Sequence, residues 1–331
     1  MIIQRVCLFM LGLAMAGASL APQEAFAQKV WRHGMVEAKS DAGFVFMVDK
    51  GGFAKKHGLN IEMMQFKGDA LALKALLAGE LDSYEGSPGA PLLAASRGAD
   101  VKAVGCYWPG LTYVIVTKKD VASLAELKGK TFAISSPGAL PDLFARAVLE
   151  HAKISSDDVQ FAAMGSDTDR FRAVSAGVVG AAATSSEFTP MLDKMGLKVL
   201  VHAHEVAPDY LRFCTYMSGK TIATRADDAS SFIAAEVEAL RYAMSNRDAV
   251  VKLTKEMTSA KDDDPRASFV FDEVNRYNAI DPEMPISAQR MDWMQNLFIK
   301  TGNMKTPVDL KKFIDVSVRE KALTKLTEAK R

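Results

Sequence analysis

The chain has 331 residues, 41 basic against 40 acidic side chains, a formal charge of +1 and 49% hydrophobic residues. That balance excludes the one-signed surface of a nucleic-acid or anionic-membrane binder. Three cysteines exclude a disulfide-stapled small scaffold, and the length calls for more than one core.

The first element is a targeting segment. Arg5 supplies positive charge, residues 6–20 form an apolar run, and Ala25-Phe26-Ala27 is a small-x-small cleavage site before Gln28. Cys7 opens the run instead of sitting at the cleavage point, so a lipid anchor is not expected. Loss of residues 1–27 removes Arg5 and Glu24 together, leaving the charge at +1 and the chain exported. Cys106 and Cys214 remain in apolar runs. Free, strand-buried thiols are the expectation, with a disulfide between them as the alternative.

Beyond residue 27, short strands alternate with helices. Expected strands cover 30–36, 61–66, 81–85, 101–108 and 112–117, with helices over 43–57, 70–78 and from Pro88 to Arg97. A second series follows: strand 131–135, helix 142–151, strand 159–163, helix 168–176 and an apolar segment at 178–183. From Tyr210 a strand at 213–217 precedes a mostly helical region, with helices over 227–245, 247–257, 266–275, 287–301 and 308–323. Such alternation implies an α/β fold with parallel-rich sheets flanked by helices.

The two series repeat at a constant offset of 98 positions. Asp69, Ala75, Ala78, Gly79 and Ser87 fall on Asp167, Ala173, Ala176, Gly177 and Ser185. A unit of that size is a lobe, and two lobes leave a groove suited to a small ligand. The expected division is residues 1–27 as signal peptide, 28–117 and 214–331 as a discontinuous lobe I, and 118–213 as lobe II, hinged near residues 117 and 213.

In open parallel sheets, ligands sit beyond the carboxyl ends of strands, at the starts of the following helices. That rule selects the loops carrying Lys39 and Ser40, Asp69, Ser87 and Pro88, Ser135, Ser136 and Gly138, and Ser185 and Glu187. Each loop taken singly also reads as a helix cap or a turn. Their recurrence in both repeats is what selects them. Trp108, with Tyr107, is a candidate aromatic wall or else rim packing; Lys39 and Lys67 are candidate positive charges. The unmatched positions, Asp82 against Gly180 and Lys39 against Pro137, are where ligand choice is expected to reside.

No nucleophile elbow, P-loop, dinucleotide-binding glycine pattern or His-Glu-x-x-His motif is present. His202-Ala203-His204-Glu205 could chelate from one face of a strand but lacks a third placed ligand, and Asp262-Asp263-Asp264 reads as a solvated connector. No cofactor and no metal are expected.

Three motifs carry a resemblance. They are Lys50-Gly51-Gly52-Phe53-Ala54-Lys55-Lys56-His57-Gly58-Leu59-Asn60-Ile61-Glu62, then Ala78-Gly79-Glu80-Leu81-Asp82, then Ser123-Leu124-Ala125-Glu126-Leu127-Lys128-Gly129-Lys130. The chain resembles the periplasmic solute-binding proteins of ABC importers for nitrate, alkanesulfonates, taurine and thiamine-pyrimidine precursors. The resemblance implies a two-lobed type II periplasmic-binding-protein fold with a helical C-terminal tail. It implies capture of a small organic anion by hinge closure and delivery to the transmembrane subunits of an ABC permease, with membrane contact only through the permease. No enzymatic activity, no nucleic-acid partner, a periplasmic location and a monomeric state are expected. The alternative is an exported enzyme or ligand sensor on the same fold. Gly180 stands where the family usually has Asp, and the cysteine-rich motif of its pyrimidine synthases is missing.

Overall fold

The computed structural model describes residues 30–328; the expected signal peptide lies outside the described residues. Two five-stranded sheets form two lobes. The first contains β1 (Val30–Val36), β2 (Asn60–Phe66), β3 (Ser83–Gly86), β4 (Lys102–Trp108) and β10 (Phe213–Met217), in the order β2-β1-β3-β10-β4. The second contains β5 (Tyr113–Lys118), β6 (Thr131–Ile134), β7 (Gln160–Ala163), β8 (Ala181–Ser185) and β9 (Leu197–His202), in the order β7-β6-β8-β5-β9. In each sheet the first three strands are parallel and the fourth runs antiparallel to its neighbours.

The offset of 98 survives in three dimensions. It carries β1, β2 and β3 onto β6, β7 and β8, and helix Asp69–Leu77 onto helix Asp167–Ser175, residue for residue. Both helices end before a glycine in the left-handed region, Gly79 at φ 76° and Gly177 at φ 73°, where a side chain would be strained. The fourth strands break the repeat. Each lobe receives its antiparallel strand from across the hinge, so β5 enters the second sheet and β10 returns to the first. Strand β5 was expected to close lobe I. Its pairing with β8 and β9 puts the first crossover at residues 109–112 instead.

Cys106 and Cys214 form a disulfide, correcting the expectation of free thiols. The physical reason is the exchange of strands. Cys106 lies on β4 and Cys214 on β10, adjacent antiparallel strands in which Trp108 faces Phe213 and Gly105 faces Thr215. The bond therefore ties together the two strands that lead into and out of lobe II.

The helix expected over 43–57 is three short turns, Ala42–Val45, Met47–Lys50 and Phe53–Lys56, the last two separated by Gly51 and the left-handed Gly52. The helix expected over 308–323 is likewise split into Leu310–Phe313 and Ser317–Glu328. Helix Ala226–Ser245 buries Phe232, Ile233, Val237 and Leu240 in the lobe I core, where Phe232 stacks on Trp31 at 5.4 Å. Burying side chains of this size contributes roughly 1.5–3 kcal/mol each. A second cluster runs through both lobes, and a third fills lobe II. Among the described residues no helix is long and apolar enough to cross a membrane.

Candidate functional site

The loops at the carboxyl ends of β1, β2 and β3 face those of β6, β7 and β8 across the groove. At the heart of each set stands an aspartate on the first residue of a helix. Asp69 Oδ1 accepts the Ser87 N–H at 3.0 Å, and Asp167 Oδ1 accepts the Ser185 N–H at 3.1 Å. The same residue therefore pins the same loop in both repeats. Around it the lobes differ. Gly86 leaves room for Asp69, because a Cβ there would lie 1.9 Å from Asp69 Oδ1; its counterpart Thr184 donates its hydroxyl to Asp167 Oδ1 at 3.3 Å.

Charge differs too. Arg170 binds Asp167 and also donates to the carbonyls of Ala183 and Gly165. The position matching Arg170 is Ala72, so Asp69 has no such cation. Burial, with Glu85 adding repulsion, pushes the Asp69 carboxyl up to about 7 despite the opposing hydrogen bond from Ser87.

Polar contacts join the lobes directly. Lys39 Nζ, after β1, pairs with Asp167 Oδ2, on which the Tyr113 hydroxyl also rests at 3.3 Å. Ser40 donates its hydroxyl and, at 3.3 Å, its N–H to Glu187 Oε2. At the hinge, buried Arg212 pairs with Asp41 and donates to the Thr112 hydroxyl at 3.0 Å. Its guanidinium lies 4.1 Å above the Trp108 ring and 4.6 Å above Phe213, a stacked setting that Arg suits better than Lys. The Arg212 charge, together with hydrogen bonds from Lys39 and Arg212, outweighs burial and holds the Asp41 carboxyl below its usual range. Ser186 donates to Glu273, whose carboxyl burial pushes up to about 7.

The expected residues divide accordingly. Lys39, Ser40 and Glu187 meet across the groove, and Ser185 supports Asp167 behind them. Asp69 and Ser87 form one bonded unit, with Pro88 beside them at the start of helix Gly89–Ala95. Gly138, at φ 76°, donates its N–H to Asp142 at 2.8 Å, and a Cβ on it would come within 2.7 Å of Asn303 Oδ1. Ser135 and Ser136 precede it, Ser136 exposed. Trp108 is fully buried, packed edge-on to Phe44 and Phe213 beneath Arg212, which is core packing at the hinge. Lys67 is exposed. Asp82 and Gly180 stand at the opposite strand ends, away from the groove. Asp82 there binds Arg32 and Arg225, while Lys130, the counterpart of Arg32, folds over Gly180. Asp82 and Gly180 are therefore matters of lobe architecture, not ligand choice.

Three tyrosines escaped sequence reasoning. The hydroxyls of Tyr84 and Tyr216 are buried without a hydrogen-bond partner, and both these and Tyr210 feel the charge of Asp69. Tyr84 stacks on Tyr216 at 5.1 Å, and Tyr210 lies beside the Ser87 side chain. Buried phenols usually find partners, and these hydroxyls instead form a buried polar cluster about Asp69 beneath the lobe I loops. Strand periodicity alone reads Tyr84 and Tyr216 as core residues, which hid them. The His202-to-Glu205 segment is not a strand face, because β9 ends at His202 and a helix begins at Ala203; the two imidazoles lie 5.2 Å apart, and among the described residues no third ligand joins them.

A family model described as NMT1/THI5 like matches residues 40–250, well over half of the chain. A candidate binding protein of Brucella abortus (strain 2308) is 32% identical over 117 residues, covering 35% of this chain and 36% of that protein. The match thus spans little more than a third of the relative's length. The periplasmic aliphatic sulphonate binding protein of Escherichia coli superimposes with a TM-score of 0.71 at 18% identity, over 86% of this chain and 92% of its own. The periplasmic nitrate-binding protein of Synechocystis PCC 6803 does so with a TM-score of 0.71 at 13% identity, over 90% and 89%. A desulfurization enzyme shares the fold at a TM-score of 0.65 and 14% identity, over 89% and 99%. At such identities the structures speak for fold alone. Family match and fold agree that this chain belongs to the NMT1/THI5-like family and has the two-lobed fold of periplasmic binding proteins.

Proposed function

We propose that this chain is the extracytoplasmic solute-binding component of an ABC importer. It closes its lobes on a small organic anion and presents the closed form to a membrane permease. One observation carries the reading. Asp167 is bound by two cations, Arg170 from its own helix and Lys39 from the opposite lobe. Glu187 balances the second charge of the groove from its place on Ser40, and Lys39, still 37% exposed, is the cation that an entering anion can draw away. An anionic group entering the groove takes Lys39 from Asp167 while keeping contact with both lobes, which is what closure requires energetically. Asp69, its carboxyl pushed up to about 7, repels an anion less than an ordinary carboxylate. The family resemblance supports the same role, with periplasmic location and permease delivery following from it.

A thermal-shift screen against alkanesulfonates, nitrate, aromatic carboxylates and pyrimidine precursors tests the reading. A ligand at one hundred times its Kd stabilises by about 2.7 kcal/mol, or about 4 °C in a domain of this size. Lys39→Gln should weaken that ligand at least tenfold, and mass spectrometry should find it unchanged after incubation. Binding indifferent to Lys39→Gln, or a released product, would sink the proposal.

A further inference from the structure

We propose that the core of lobe I contains a binding site for one divalent transition-metal ion, built from His33 of β1, Glu85 of β3 and Glu236 of helix Ala226–Ser245. This site is separate from the groove and goes beyond solute capture. The three side chains are 1%, 3% and 6% exposed, and each offers one donor atom lying within 4.8 Å of the other two. His33 Nε2 stands 3.9 Å from Glu85 Oε2. A tetrahedral ion with bonds of about 2.0–2.1 Å spaces its ligands about 3.4 Å apart, so modest side-chain rotation closes the shell.

A second observation points the same way. A void of about 10 Å³ opens beside the two carboxylates, against Glu85, Glu236 and Tyr107 and walled by Phe44, Val48 and Leu240, though His33 does not line it. It is the size that admits a single water or ion. Glu236 meets it under-satisfied: its two oxygens share one donor, the Thr215 hydroxyl, at 3.4 and 3.2 Å.

The surrounding groups orient the ligands. Ser83 Oγ lies 2.8 Å from His33 Nδ1 and accepts the Trp31 indole N–H at 2.9 Å. A hydroxyl oxygen can accept from both nitrogens, which leaves His33 Nε2 bare and turned toward the carboxylates. Phe232, 4.8 Å from the imidazole, packs on its ring, and the Tyr107 hydroxyl donates to Glu85 Oε2 at 2.5 Å. Among the described residues no lysine or arginine hydrogen-bonds either glutamate. Two buried carboxylates this close together gain from a cation placed between them. A dication neutralises both acids. One imidazole and two carboxylates suit Zn²⁺, Fe²⁺ or Mn²⁺ and not Cu⁺. With the site enclosed, loading accompanies folding, and the ion would tie helix Ala226–Ser245 to the strand that ends at the Ser87 loop.

The test refolds the tag-free full chain from guanidinium and EDTA into buffer with zinc chloride or with EDTA, then desalts it. About one zinc per chain and a higher melting temperature are expected. His33→Gln and Glu236→Gln should each retain under a tenth of an equivalent, whereas His204→Gln, away from the site, should retain zinc. Zinc absent from the wild type, kept by His33→Gln and Glu236→Gln, or lost on His204→Gln overturns the proposal. Should the core variants fail to fold, X-ray absorption on the zinc-loaded wild type decides. One imidazole among oxygen donors at about 2.0 Å supports the site, and two imidazoles refute it.

Discussion

Replacing both Cys106 and Cys214 with alanine removes a crosslink between strands that flank the whole of lobe II. The bond spans 108 positions. Chain-entropy reasoning assigns a loop of that length about 5 kcal/mol, because the open chain gains conformations that the crosslinked unfolded chain lacks. Both thiols are fully buried, but each loses only one atom on replacement, so cavity costs stay small beside that figure. For a cooperative unit of about 300 residues the loss corresponds to about 8 °C in melting temperature. Urea and thermal denaturation without reductant, compared between wild type and the double variant, measure it directly. Thiol titration of the denatured wild type lacking residues 1–27 should find no free thiol. A shift under 2 °C, or two free thiols, would refute the reasoning, since neither is compatible with a closed 108-residue loop.

Asp69→Asn tests the raised carboxyl. The native chain holds a proton on Asp69 that the unfolded chain, at 3.8, has released, so stability falls as pH rises from about 4 through 7. The variant removes that slope and should exceed wild type at pH 8 by at most about 4 kcal/mol, reduced by the water that reaches Asp69; equal slopes in urea titrations at pH 4.5 and 8 would contradict it. Arg170→Met leaves buried Asp167 with Lys39 as its one cation and should cost about 1–3 kcal/mol in urea denaturation, whereas the matching position in lobe I is already Ala72. Gly177→Ala, at φ 73°, should cost about 1 kcal/mol, and Gly79→Ala about the same; a cost at one site only would break the equivalence of the repeats.

Local signals carried much of the fold. The strands at 30–36 and 213–217 are where apolar alternation puts them, and the offset of 98 located the paired helices to within one residue. Both follow from short-range physics. Side-chain period reports which face is buried, and a left-handed glycine ends a helix wherever it lies. The candidate loops were legible for the same reason, since helix starts after strand ends are local features. The break at Gly51 and Gly52 was the exception: an apolar face at helical spacing outweighed, in the reading, two glycines that split it.

Contacts between distant segments were not legible. Lys39 meets Asp167 across 128 positions, and Cys106 meets Cys214 across 108. Each depends on which lobe receives which antiparallel strand, a choice made by sheet closure and not by any neighbouring residue. The same exchange brings Tyr216 of β10 against Tyr84 of β3, leaving two core hydroxyls buried without partners. The chain's own pattern thus determines two similar lobes and the loops that face each other. Which charges those loops present, and which buried groups go unpaired, is decided only when the strands cross the hinge, because electrostatics and hydrogen bonding act over distances in space that sequence separation does not measure.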